Sequence, residues 1–180
     1  MRRDCFAKKQ FGPPVYPPQP EGIWKSVYSG AKWETSTGED RYRRAVYTYS
    51  KRTSGYPTFL TFDAPTRDVC TARRIPTNTP LQALVTLNDP AFMEMAQAFA
   101  KRMATAGEDV NARIASGYKL LTNEDAAPDI VKALASLHAD AKSDFEKNTA
   151  DSAKLAPTPD EAALVLVANT MFNLDSALVR

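Results

Sequence analysis

Apolar positions recur every three or four residues through the second half of the chain, and give way to proline and aromatic punctuation in the first. Thr79 before Pro80 has the form of an N-cap followed by proline at the first helical position. It predicts a short helix with Leu81, Leu84, Val85 and Leu87 on its buried side. Asp89-Pro90 repeats the device and opens a helix to about Ala106, ended by Gly107 and striped by Phe92, Met95, Phe99 and Met103. Asp109 caps a further helix with Val110, Ile114, Tyr118 and Leu121 in its stripe. Another runs from about Ala126 to Lys147 with Ile130, Leu134, Leu137, Ala141 and Phe145 on one face. His138 lies beside that face, where a lone histidine is expected to be structural or solvated. Residues 148–157 read as a polar link. Thr158-Pro-Asp-Glu161 is a capping box, and the helix from Pro159 to about Phe172 is apolar on nearly all sides, which predicts the most buried helix of the fold. Asn173-Leu-Asp breaks it, and residues 176–180 form a last turn.

The first forty residues lack this periodicity. Residues 11–20 hold five prolines in ten, which favours an extended, polyproline-like backbone and forbids a helix interior. Tyr16, Trp24, Tyr28 and Trp33 punctuate the arm and are expected to pin it to the body, because large aromatics dominate burial. In residues 41–52 helical and alternating spacings are both admissible; the reading leans to a short helix with a basic face. Residues 55–65 are expected to be a loop broken by Pro57 and Pro65. The fold class is therefore mainly α: one helical domain of about five helices over residues 41–180, with an irregular Pro-rich, aromatic arm, residues 1–40, packed on it.

Charge changes the picture only in its distribution. Residues 1–74 carry fourteen Lys/Arg against seven Asp/Glu, and residues 75–180 nine against fourteen. The favoured reading is two halves packed with opposite charges at their seam. The basic surplus is too modest and scattered for nucleic-acid binding. Two cysteines, Cys5 and Cys70, and one histidine cannot supply a Cys/His zinc set. Two free thiols are expected, with Cys70 buried and inert. Met1-Arg-Arg-Asp-Cys is not followed by an apolar run, so no signal peptide is expected at this start, and the longest apolar run, residues 162–168, is far short of a membrane span.

The densest candidate chemistry lies in residues 61–89. Asp63, Arg67, Asp68, Cys70, Arg73, Arg74, Asn78 and Gln82 crowd into fewer than thirty positions. Two carboxylates can divide acid and base roles where their environments differ; the commoner outcome is that Asp63 and Asp68 pair with Arg67, Arg73 and Arg74 to knit an irregular segment. A glycan site built from Asp63, Asp68, Arg73 and the aromatics Trp24, Trp33 and Tyr47 is the competing reading. There is no G-x-S-x-G, no phosphate-cradling glycine loop and no dinucleotide fingerprint. The reading leans away from an enzyme and assigns no metal ligand.

The segments GPPVYPPQPEGIW (12–24), YRRAVYTYSKRT (42–53), LTFDAPTRDVCTARRIPTNTPLQALVTLNDP (60–90) and ANTMFNLDSALVR (168–180) resemble a planctomycete family. It is the C-terminal domain of unknown function called planctomycete-specific domain one, found in large proteins with cytochrome c-like modules. The resemblance runs from about Gly12 to Arg180. It implies a non-catalytic structural or interaction module at the tail of an exported, extracytoplasmic multidomain protein. Haem is expected only in upstream domains, with no cofactor in this chain. The implied partners are those upstream domains, with a glycan as the alternative and self-association where an uncovered apolar patch remains. Cys70 matches the family's Val-Cys-Thr motif and Cys5 has no counterpart, which speaks against a family-wide disulfide. The opening MRRDCFAKKQ departs from the family's helical, Arg-rich lead-in and points to a truncated chain.

Overall fold

The computed structural model describes residues 11–19, 22, 32–51, 55–65, 69–73 and 75–179. Two compact units divide the chain, Met1–Thr77 and Asn78–Arg180. The protein is mainly helical, with eight α-helices among the described residues.

In the first unit the proline-rich strand lies beside residues 47–49. The Val15 N–H donates to the Tyr47 carbonyl and the Tyr49 N–H to the Val15 carbonyl, both at 2.8 Å, in an isolated parallel bridge between Val15 and Thr48. Residues 41–51, the described part of the stretch read as a short helix, are therefore not one helix. Two 3-10 turns, Gly38–Tyr42 and Ala45–Tyr47, precede the bridged stretch. Val46 is 67% exposed, so Tyr42, Val46 and Tyr49 form no apolar face that would hold an α-helix there. Two of the four aromatics expected to pin the arm make ring contacts within the first unit; Trp24 and Tyr28 lie outside the described residues. Tyr16 stacks on Tyr49 at 5.0 Å, and Trp33 meets Tyr16 edge-on at 5.1 Å and lies parallel to Tyr56 at 6.1 Å. Residues 55–65, expected to be a loop, contain α1 (Pro57–Thr61), because Pro57 starts a turn at N1 as readily as it breaks one.

The second unit is a helical bundle: α2 (Pro80–Asn88), α3 (Pro90–Ala104), α4 (Val110–Thr122), α5 (Pro128–Lys147), α6 (Thr149–Leu155), α7 (Pro159–Phe172) and α8 (Asp175–Leu178). Thr79, Asp89, Asp109 and Thr158 each accept a first-turn backbone N–H, as their spacing predicts. Helix α7 is the hub, touching α2, α3, α5, α6 and α8. Leu164, Val165, Val167, Ala168 and Met171 meet Ala96, Ala100 and Met103 of α3, Ile114 of α4 and Leu134 of α5 in one core. The polar link at residues 148–157 is instead mostly α6. Ser152 is buried there, and Gln97 Nε2 donates to the Leu155 carbonyl at 3.0 Å. His138 is buried rather than marginal, at 4% exposure.

The main departure is α2. Of the four residues expected to face the core, Leu81, Leu84 and Leu87 are 57%, 59% and 52% exposed and Val85 is half-buried, while Gln82 and Thr86 are buried at 1% and 0%.

Candidate functional site

The inversion of α2 has a structural cause. Gln82 reciprocates the Thr79 cap, its side-chain oxygen accepting the Thr79 N–H at 3.0 Å while its own N–H donates to Thr79 Oγ1 at 3.3 Å. One turn on, the Thr86 hydroxyl lies 3.1 Å from the Gln82 carbonyl and 3.0 Å from that of Ala83, and also donates to Oδ1 of Asn173. From α7, Asn169 Nδ2 donates to the Thr86 carbonyl at 3.2 Å and to the sulfur of Met93 at 2.9 Å, and Asn173 Nδ2 reaches back to the Asn169 carbonyl at 3.1 Å. Ahead of the helix, Asn78 Nδ2 donates to Oδ1 of Asp175 on α8. Turning the leucines inward would strand these buried groups, at about 1–3 kcal/mol each.

The outward face is therefore built in. Leu81, Leu84 and Leu87 at i, i+3 and i+6 form one ridge, and α2 carries no charged side chain. Leaving half of each leucine in water forgoes about 1 kcal/mol per residue, which remains available to whatever covers the ridge.

The residues singled out in 61–89 separate into several small devices. Asp63 sits just past α1 at φ 55°, in the left-handed region that Asp tolerates, where the Ala64 N–H closes on the Phe59 carbonyl at 2.8 Å. Its carboxylate accepts the N–H and hydroxyl of Thr77 at 2.8 and 2.7 Å. Cys70 is a free thiol and exposed, not buried, since the segment around it carries no apolar anchor: Val69 is 73% and Ile75 75% exposed. Arg73 is exposed. Arg67, Asp68, Arg74, Trp24 and Cys5 lie outside the described residues. Of the aromatics proposed for a glycan, Trp33 is engaged with Tyr16, Tyr49 and Tyr56. Tyr47 lies under the Arg43 guanidinium, 3.9 Å from its ring centre.

One ionic knot escaped the sequence reading. Asp160, in the first turn of α7, accepts from Lys142 of α5 at 2.9 Å and from Arg113 of α4 at 3.3 Å. The His138 ring nitrogen lies 3.3 Å from the Asp160 carbonyl and 3.8 Å from its carboxylate. The Lys142 hydrogen bond, aided by the charges of Lys142, His138 and Arg113, holds the Asp160 carboxyl below the usual range against the opposing effect of burial. A carboxylate so surrounded is a strut joining three helices and a poor proton acceptor. The available signal was the four-residue spacing of His138 and Lys142, which places both on one face of α5.

A cavity of about 100 Å³ lies between α3 and the start of α7, lined among others by Gln97, Lys101, Leu155, Glu161 and Val165. It is smaller than the ~300 Å³ at which small-molecule pockets begin. Among the described residues no group of three or more His, Cys, Asp or Glu is placed to hold a metal ion, and no helix is long and apolar enough to cross a membrane.

The sequence model of the PSD1 family, described as protein of unknown function (DUF1553), matches residues 4–138. The match takes in the arm, the 61–89 stretch and the chain as far as His138 on α5; the resembling segment at 168–180 lies beyond it. No curated protein and no solved structure matches the chain.

Proposed function

Since this chain belongs to the PSD1 family, proteins of unknown function, we propose that it is a non-catalytic docking module whose α2 ridge seats a neighbouring domain of the same polypeptide. The observation that carries this reading is the inverted α2: polar side chains locked inward, three leucines held outward. Size favours a tethered neighbour over a free partner. Three half-exposed leucines offer roughly a third of the ~800 Å² per side that a stable interface between separate proteins uses. A covalent link raises the effective concentration to about millimolar, so a contact of this size suffices. A charge-free ridge matches an apolar face and repels neither sign. On the motifs at 12–24, 42–53, 60–90 and 168–180, the parent is a planctomycete, exported, cytochrome-associated protein with its haem in other domains.

The test follows the protection of α2 amides from hydrogen exchange in the parent polypeptide, where the neighbouring domain is joined to this chain. Protection in the unaltered chain, lost in Leu84→Asp at unchanged helix content, is the expected result. An unprotected α2, or protection that survives Leu84→Asp, contradicts the reading.

A further inference from the structure

Four of the six residues 13–18 are proline and have no N–H to donate. The rest of the first unit reads this strand mainly through its carbonyls. Arg43 Nη1 and Nη2 donate to the carbonyls of Pro13 and Phe11, each at 2.7 Å. Trp33 Nε1 donates to that of Pro17 and the Tyr56 hydroxyl to that of Pro18, each at 2.9 Å. The Tyr16 carbonyl accepts from the Ser36 N–H at 2.9 Å, and the Val15 carbonyl from Tyr49. The strand's two remaining donors are also met: Val15 by the Tyr47 carbonyl, Tyr16 by Ser36 Oγ at 2.9 Å. Side-chain donors on aromatic walls, spaced along an extended strand, are the way grooves recognise polyproline-like peptides in general.

The donors are rigidly presented. Arg43 is 5% exposed and packs flat on Tyr47. Its acceptors here are backbone carbonyls, and its Nε is buried without a hydrogen-bond partner. Trp33 and Tyr56 are stacked face to face, 3° from parallel. Little in this recognition depends on side chains of the strand itself, apart from Val15, which is 3% exposed, and the Tyr16 ring stacked on Tyr49.

We infer that residues 32–51 and 55–59 form a receptor for a proline-rich strand, filled in cis by residues 11–19 and open to exchange with a strand of the same pattern from another chain. The partner it fits is an extended peptide with paired prolines flanking a short apolar-aromatic step, as in Pro13-Pro-Val-Tyr-Pro-Pro18.

The experiment titrates a fluorescein-labelled peptide of residues 11–19 into the chain carrying Val15→Asp and Tyr16→Ala, which loosen the resident strand and spare the receptor. Saturable binding, about tenfold or more tighter than to the unaltered chain, is expected, because a tethered strand competes at an effective concentration near millimolar. Adding Arg43→Ala should abolish it. No binding by a double variant whose α1 amides keep their protection from hydrogen exchange, or binding that survives Arg43→Ala, overturns the inference. Should the double variant lose that protection, the unaltered chain decides. About millimolar unlabelled peptide should drive the Val15 and Tyr16 amide resonances of the isotope-labelled chain to unstructured positions, and resonances that stay in place overturn it.

Discussion

The Thr86 hydroxyl of α2 donates to the side-chain oxygen of Asn173 just past the end of α7, tying the shortest of the long helices to the central one through polar atoms rather than leucines. Replacing Thr86 by Val keeps the shape and removes the donor. The Asn173 oxygen then loses this partner at a seam where Thr86 itself is fully buried. We expect a loss of about 1–3 kcal/mol, read as a lower urea midpoint at unchanged slope.

Asp160 predicts an acid limb. Its carboxyl is held below the usual range, first by the Lys142 hydrogen bond, so the folded state binds fewer protons than the unfolded one. The stability it contributes is present above the ordinary Asp value and is lost as pH falls through the depressed one. Asp160→Asn should therefore lower stability at neutral pH and flatten its decline between about pH 5 and pH 2. Urea midpoints across that range check this; equal acid slopes in the two chains would contradict it.

Arg43→Lys tests the clamp on the proline-rich strand. A lysine offers one compact ammonium, which cannot bridge the Phe11 and Pro13 carbonyls while lying flat on Tyr47. The Val15 and Tyr16 amides should exchange about tenfold faster or more, the equivalent of about 1.4 kcal/mol. The amides of α7 should not change.

Gly117 of α4 packs directly against the Met103 side chain of α3. A Cβ there would sit 2.8 Å from Cγ of Met103, a side chain that is fully buried. Gly117→Ala should cost about 1–3 kcal/mol through overpacking, despite the better helix propensity of alanine. Thermal unfolding measures it, and a stabilised variant would show that Met103 yields.

Much of the helical half was legible because its signals are local. The Thr158 cap and a nearly all-apolar run placed α7, the Asp89 cap placed α3 to within two residues, and the Asp109 cap marked the start of α4. What failed was the direction α2 faces, since hydrophobic spacing reports which residues share a side and not which side is buried. That is decided by Asn169 and Asn173, more than eighty positions away. α6 was missed because its two anchors, a buried Ser152 and the Gln97 bond to Leu155, leave no apolar period. In the candidate site, Asp63 was visible as a charge, but its role depends on the positive φ that ends α1.

The most direct test of the account is the stability of the chain with Leu81, Leu84 and Leu87 all replaced by Gln, which keeps helix propensity while removing the apolar ridge. If the face points outward by construction, urea unfolding should lie within about 1 kcal/mol of the unaltered chain, as for surface positions. A loss of several kcal/mol, of the size that truncating core leucines produces, would mean that α2 buries this face, and the docking surface would not exist.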